Sequence, residues 1–292
     1  MTPPADPHYQ LVRLANGAFS VRSLSEQETF HPVIGPAAEA EVLYVRQLRL
    51  RERLAAHRGE FVIWDVGLGA AANVSAVFGG TRDLPCSLRV LSFDRTLEPL
   101  RFALHHAAEL DYLEPIREAA GELVTHQKTA FARGPQQVSW ELHLGDFPQL
   151  LPASHWPAPH AILFDPFSPA KNPAMWSGQL FRELASRLNP ARPCAMPTYS
   201  RSTMLRVSLL MAGFYVGVGH ATGEKEETTI AANTLDLIDE PLKPDWLQRA
   251  RRSKSAEPLS EAVYRQAPLS EESWGKLQEH PQFRIWSAPR MD

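Results

Sequence analysis

The sequence predicts an α/β protein, a mostly parallel sheet with helices on both faces, carrying an N-terminal hairpin and a C-terminal helical tail. Three observations lead there. From Glu60 onward, short apolar runs of strand length alternate with helical patterns. The first run ends in a glycine pair, Gly67 and Gly69, that opens a helix. The later runs end in acids, Asp94, Asp146 and Asp165, where such sheets place their ligands.

Taken in order, Leu11 to Leu24 reads as two alternating runs around Asn16-Gly17, a dipeptide suited to a type I′ hairpin turn. A helical pattern then runs unbroken from Ala37 to about His57, with Pro36 at its first position and Gly59 at its stop. One face of it is apolar, and the other carries Arg46, Arg49, Arg51, Arg53 and Arg58. That run reads as a solvated face or as a phosphate-contacting one. Phe61–Val66 and Leu88–Asp94 are the first strands of the alternation, with helices from about Ala71 and over Leu97 to Leu110. Tyr112 to Phe131 reads as helix, Val138–Leu144 and Ala161–Phe164 as strands, and Trp176 to Leu188 as helix. Cys194 to Tyr199 makes a fifth strand weakened by Pro197, Ser202 to Ala212 a helix, and Phe214–Val218 with Thr228–Ala232 a closing pair. The expected divisions are 1–35 (hairpin and lead-in), 36–235 (the α/β body) and 236–292. This last stretch is polar and helical in pieces, an appendage with the cluster Arg249–Lys254 and a helix near Glu271 to Glu279.

Composition excludes several classes. The chain has 292 residues, 44% hydrophobic and 22% charged, which is the profile of a globular protein. Thirty basic against 33 acidic residues give a net charge of −3, so a globally basic nucleic-acid coat is excluded while a local patch is not. Two cysteines make no disulfide framework, and the histidines, the His105-His106 pair included, lack metal-ligand spacing. No metal is expected. The N-terminus has no signal-peptide pattern and no apolar stretch reaches membrane-spanning length, so the expected compartment is the cytoplasm, with no membrane partner.

The candidate chemistry sits at the strand ends. In Asp65-Val-Gly67-Leu-Gly69-Ala-Ala71-Ala-Asn73 the glycines permit a tight turn and close approach to a cofactor at a helix N-terminus. Asp65 would repel a pyrophosphate but suits the cationic amino-acid group of S-adenosylmethionine. Asp94 can accept both ribose hydroxyls, and Asp146 with Phe147 beside it suits an adenine. Bland alternatives stand beside each: a helix cap for Asp94 and turn chemistry for Gly145-Asp146. The most informative stretch is Asp165-Pro-Phe-Ser-Pro-Ala-Lys-Asn-Pro-Ala-Met-Trp176, a stiff loop after a strand. There a carboxylate can orient an amine, Phe167 can stack on a flat base, and the gain is mainly positioning of two reactants.

With these residues in hand, the chain resembles the methyltransferase half of the bacterial enzymes that form 5-methylaminomethyl-2-thiouridine at the tRNA wobble position. The resemblance runs from about Thr29 to Ala232. It rests on Phe30-His31 with Gly35 and Glu39, Gly67-Leu-Gly69 with Asn73, Ser92-Phe93-Asp94, Gly145-Asp146, the Asp165–Trp176 loop, Ala212-Gly-Phe214 and Gly223-x-Lys225. It implies a class I, Rossmann-like methyltransferase fold with a mostly parallel seven-stranded sheet, S-adenosylmethionine as donor, and the anticodon arm of tRNA as partner. It implies Asp165 as the catalytic residue and Asp65, Gly67, Gly69, Asn73, Asp94, Asp146 and Phe147 on the cofactor. Phe30, His31, Phe167, Lys171 and Tyr199 would meet the substrate. No second glycine fingerprint follows Asp236, so a stand-alone type is expected, with no FAD. The chain departs from the pattern at Ala71, which replaces a glycine, at Met196-Pro197, and at the acidic Gly223–Glu227 segment, which weakens an RNA contact there. Alternatives are another amine acceptor, an oxidoreductase on a dinucleotide fold, and a non-catalytic cofactor- or RNA-binding module.

Overall fold

The structure, a computed structural model, describes residues 7–153, 155–223 and 226–284. Near the N-terminus β1 (Tyr9–Arg13), β2 (Phe19–Ser23) and β3 (Glu28–Thr29) form a small antiparallel sheet in the order β1-β2-β3. The hairpin forms where expected, but its turn is not type I′. Leu14 N donates to Ala18 O (2.8 Å), which lengthens the loop, and only Gly17 takes a positive φ (89°). Asn16 is spent elsewhere: its side chain donates to Ile34 O (3.0 Å) and accepts from Ala18 N (3.1 Å), tying the turn to the lead-in.

The long helix expected over 37–57 is broken into α1 (Pro36–Ala40), a π-helical segment (Glu41–Arg46) and α2 (Leu50–Ala56). The break falls at Arg49, which takes a left-handed φ of 49° and donates to Asp236 O at 2.7 Å. That kink keeps both Leu48 and Leu50 buried, at 2% and 0% exposure, which a straight helix would not.

The body then alternates: β4 (Glu60–Val66), α3 (Ala72–Gly80), β5 (Ser87–Asp94), α4 (Glu98–His105), α5 (Arg117–His126), β6 (Lys128–Arg133) and β7 (Gln136–Leu144). It continues with α6 (Phe147–Ala153), β8 (Ala161–Phe164), α7 (Gly178–Ser186), β9 (Ala195–Thr198) and α8 (Thr203–Met211). Then come β10 (Tyr215–Gly219), β11 (Thr228–Ala232), β12 (Glu240–Pro241), α9 (Pro244–Arg252), α10 (Glu271–Gln278) and α11 (Pro281–Arg284). The main sheet has nine strands in the order β12-β10-β11-β9-β8-β4-β5-β7-β6, two more than the expected seven. Both additions are edges. β9-β8-β4-β5-β7 run parallel, and β11 pairs antiparallel with β9 and β10.

Two expected helices are shorter than their patterns. α4 stops at His105, and turns at Leu110, Leu113 and Ile116 bury those side chains instead. α5 stops at Gln127, whose left-handed φ of 57° turns the chain into β6 rather than onward to Phe131. β6 then pairs antiparallel with β7, and Phe131 packs edge-on to Phe78 at 5.5 Å. Pro197 is accommodated because β9 pairs with β8 through Ala195 alone.

Apolar side chains fill both faces of the sheet. One layer gathers Tyr44, Phe61, Phe78 and Trp140, the other Trp64, Phe93, Phe164, Trp176 and Phe181. The second layer also takes Leu242, Trp246, Leu259, Leu277 and Phe283 from the C-terminal stretch. Gln282, fully buried there, accepts from Val216 N (2.7 Å) and donates to Val216 O (2.7 Å) and Leu242 O (2.8 Å). It pairs the Val216 amide and adds a second donor to Val216 O, which Leu242 N already meets at 2.9 Å.

Candidate active site

A cavity of about 730 Å³ opens at the carboxyl ends of β4, β5, β7 and β8. Its floor is the strand-to-helix turns, and its roof is the N-terminal sheet with residues 20–32. Gly67, Gly69, Asn73, Asp94, Asp146, Phe147, Asp165, Phe167, Phe30, His31 and Tyr199 all line it. Residues far apart in the chain, read as candidates one by one, therefore share a single space.

The glycine turn has steric reasons. A Cβ at Gly67 (φ 96°) would lie 2.7 Å from Asp165 O, so only glycine lets this turn pass under the loop after β8. At Gly69 (φ 52°) a Cβ would meet the Phe30 ring at 3.2 Å. Gly69 N donates to Asp94 Oδ2 (2.9 Å) and Thr96 N to Oδ1 (3.2 Å), so Asp94 joins the turns after β4 and β5. Burial pushes the Asp94 carboxyl up, and these amides hold it back.

Asp65 does not line the cavity. It is 1% exposed, accepts from Ser92 Oγ (2.7 Å), and Ser92 in turn accepts from Trp140 Nε1 (2.9 Å). Burial pushes its carboxyl up to about 7, against the Ser92 bond and with the nearby Asp165 and Asp94 adding to the rise. Its Oδ1 is buried without a partner. The expectation that Asp65 touches a ligand directly is thus met by a carboxyl one layer below the cavity wall. Lys171 also stands outside, exposed on the turn closed by its own N–H to Ser168 O (2.9 Å).

Asp165 is the centre of the arrangement. His31 Nε2 lies 3.0 Å from its Oδ2, and Asn73 Nδ2 donates to the same oxygen at 2.9 Å. Asn73, read from the sequence as a cofactor contact, turns its amide here toward Asp165 and His31. The loop itself is braced: Trp176 Nε1 donates to Phe167 O (2.8 Å), Tyr199 Oη to Pro166 O (3.0 Å), and Tyr44 Oη to Phe164 O (3.3 Å). Phe30 and Phe167 meet with centroids 5.6 Å apart, tilted at 60°. Phe147 packs on Phe93 at 5.0 Å beneath Asp146.

Sequence reasoning missed the clasp between roof and loop. Glu28 on β3 accepts from Ser168 N (3.2 Å) and from the Ser168 hydroxyl. It also left out Tyr44, Tyr112 and the buried Glu39 of α1, although Glu39 stood among the residues of the resemblance. Among the described residues no group of three or more His, Cys, Asp or Glu is placed to hold a metal ion, and no helix is long and apolar enough to cross a membrane.

The arginines split from this site. Arg53 donates to His160 O (2.6 Å) and Pro193 O (3.1 Å), just ahead of β8 and β9. Arg51 binds Gly80 O (2.6 Å) and both oxygens of Asp83 (2.7 and 2.8 Å), ahead of β5. Both therefore stand at the amino ends of the strands, opposite the cavity. Of the acidic 223–227 segment, Glu224 and Lys225 lie outside the described residues. Glu227 sits between Arg206 (3.4 Å) and Arg249 (3.6 Å), so its charge is matched.

Comparisons with known proteins agree with this geometry. A family described as S-adenosyl-L-methionine-dependent methyltransferase matches residues 114–234. The tRNA 5-methylaminomethyl-2-thiouridine biosynthesis bifunctional protein MnmC of Aeromonas hydrophila is 31% identical over 231 residues, covering 74% of this chain and 34% of that protein. Its counterpart in Methylibium petroleiphilum is 29% identical over 235 residues, covering 78% of this chain and 35% of that protein. The chain thus spans about a third of the length of these curated relatives. In fold it is similar to MNMC2 from Aquifex aeolicus, with a TM-score of 0.69 at 22% identity, over 97% of this chain and 86% of that one. By sequence and fold, the chain carries a class I, S-adenosyl-L-methionine-dependent methyltransferase domain like that of the MnmC proteins.

Proposed function

We propose that the protein transfers a methyl group from S-adenosylmethionine to the 5-aminomethyl group of the wobble uridine in tRNA. The observation that carries the reading is the placement of Asp165. It stands in one cavity with the glycine turn, with Asp94 and Asp146, and with the Phe30–Phe167 ring pair.

The residues present fit the donor. Gly67 and Gly69 line the cavity and contribute only backbone to its wall. Asp94 stands at the end of β5 to meet ribose hydroxyls, and Asp146 with Phe147 suits the adenine. When bound, the donor supplies an electrophilic methyl on a sulfonium; its S–CH₃ bond breaks as the amine's N–CH₃ bond forms, leaving a thioether and an ammonium that then releases one proton.

The chain's part is orientation and charge. Asp165 accepts a hydrogen bond from the amine, aims its lone pair, and offsets the positive charge that grows on nitrogen. Burial lowers the His31 imidazole, but the Asp165 and Glu39 carboxylates and Asn73 outweigh it and raise it to about 9, which favours Asp165 over His31 as the group that receives the amine's hydrogen bond. Phe30 and Phe167 give a flat base an apolar wall, worth roughly 1–3 kcal/mol per stacked base. An anticodon base starts in a loop, so presenting it costs little unstacking.

One observation favours a smaller amine as acceptor. Arg51 and Arg53 are spent on carbonyls and Asp83 at the far end of the sheet, and so give tRNA no phosphate contact at the cavity mouth. A single experiment separates the readings: incubation with methyl-labelled S-adenosylmethionine and tRNA lacking this modification, followed by nucleoside mass spectrometry. Label on the 5-aminomethyluridine is the expected result. Label only on added small amines moves the assignment to them, and label on neither, with donor binding shown by calorimetry, refutes both.

A further inference from the structure

The cavity contains a buried imidazole, close to a carboxylate, that the chemistry above leaves unused. His31 is nine-tenths buried, with side-chain exposure of 10%, at the point where the N-terminal sheet hands over to the lead-in. Its backbone is left-handed (φ 46°), a conformation an ordinary L residue adopts at a cost. What the chain gains there is an imidazole whose Nε2 lies 3.0 Å from Asp165 Oδ2 and 3.2 Å from Asn73 Oδ1. Asn73 closes the triangle by donating to the same Asp165 oxygen at 2.9 Å.

Resting on the methyl-transfer reading, we propose that His31 is a positioning residue: its imidazolium, with the Asn73 amide, clamps one oxygen of Asp165 and fixes that carboxylate as the anion an amine acceptor requires. The surroundings supply the reason. Asp165 follows β8, Glu39 comes from α1 and Asp65 lies beneath the glycine turn, so three carboxyls converge from three elements. The hydroxyls of Tyr44 and Tyr199 face the same acids and are pushed well above their usual range by burial and by those charges. Without a cation, Asp165 would stand among acids in a poorly solvated space and would take up a proton more readily. His31 supplies the cation. Burial works against the imidazolium, but Asp165 and Glu39 outweigh it and carry the ring to about 9. His31 keeps its proton throughout; nothing is transferred to or from it.

The ring is held from one side. Nδ1 is buried and makes no hydrogen bond, so the Nε2 contacts set its orientation. Because glycine adopts a φ of 46° freely, His31→Gly removes the ring without backbone strain and opens its space to the cavity. A free imidazole can then occupy it.

Two measurements test the proposal. The first needs no methyl acceptor: ¹⁵N-histidine NMR followed over pH. In the wild type, His31 is expected to titrate near 9, and in Asp165→Asn about two units lower, as loss of one close opposite charge implies. Titration near 6.5 in the wild type, or no change in Asp165→Asn, would overturn the proposal. The second is chemical rescue of His31→Gly. We expect methyl transfer at pH 7 to fall on the order of 100-fold with donor affinity kept. Added imidazole should restore at least about tenfold of it, with the rescued rate declining above about pH 7 as the free ring loses its proton. Failure of imidazole to rescue a variant that binds donor normally would also overturn it. If the wild type itself transfers no methyl, the function assigned above fails, while the titration still decides the pairing of His31 with Asp165.

Discussion

At the carboxyl ends of the parallel strands, Asp94, Asp165 and His31 line a cavity above the buried Asp65; at the amino ends, Arg51 and Arg53 hold loop carbonyls. Both ends are rich in charge, but the charges do different work. Arg53 is consumed by two backbone carbonyls and lies over the Phe61 ring at 5.2 Å, so its guanidinium closes the bottom of the sheet. Arg51 forms a forked pair with Asp83. At the cavity, by contrast, carboxyls are crowded together and pushed from their ordinary ranges by burial, with one imidazolium among them. Crowding of titratable groups that a fold could have spaced apart marks a working site more reliably than a run of one charge in sequence.

The sharpest way to break that contrast is Asp165→Asn. The substitution keeps the shape and the contact with Asn73 but removes the anion, so methyl transfer should fall about 10²–10⁴-fold while calorimetric donor affinity changes little. A loss below tenfold would mean that the cavity's acids are merely structural, as the arginines are.

Asp65 gives the next largest effect, and it has a pH sign. Its folded value, about 7, lies above the usual carboxylate value, so the folded state holds a proton the unfolded state has already released. Stability from this group is full below about pH 4 and is lost as pH rises to about 7, by on the order of 4 kcal/mol. Asp65→Asn removes the ionisation. Compared with the wild type by urea unfolding, it should gain relative stability between about pH 4 and 7 and level off above that; a gap that stays constant with pH would show that Asp65 is not held protonated.

At the other end, Arg53→Ala should cost about 2 kcal/mol, since it leaves the carbonyls of His160 and Pro193 without a charged donor. It should leave methyl transfer and the salt dependence of tRNA binding unchanged. A shallower salt slope would place Arg53 on the nucleic-acid path and erase the contrast between the two ends.

The same contrast explains what the sequence could show. Asp94 and Asp165 could be placed together at the cavity because each ends a strand in an alternating pattern, and the parallel run of the central strands follows from that alternation, though their order does not. The clasp between Glu28 and Ser168 was not, because it joins residues 140 apart and neither sits in a local pattern. Nor was the break at Arg49, which depends on a carbonyl 187 residues away at Asp236. β6 was hidden for a different reason. Lys128–Arg133 alternates for only a few residues after a true helix, and the left-handed turn at Gln127 leaves no glycine to announce it. In the arginine run the periodicity was real, but which end of the sheet it faced is a tertiary fact.

Ala71 offers the smallest effect and the finest test of the cavity end. It is fully buried, caps α3 with a left-handed φ of 60°, and stands where the resemblance leads one to expect glycine. Ala71→Gly relieves about 1–2 kcal/mol of backbone strain but deletes a buried methyl worth about 0.8 kcal/mol and loosens the unfolded chain. The terms nearly cancel, so unfolding should shift by less than about 1 kcal/mol, and donor affinity should stay within about twofold. Gly69→Ala, two residues earlier, is the control: its new Cβ meets the Phe30 ring at 3.2 Å and must displace a cavity wall. If both substitutions left donor affinity unchanged, the glycine turn would owe its conformation to packing alone, and the floor of the cavity would be no more specialised than the arginine-held end beneath it.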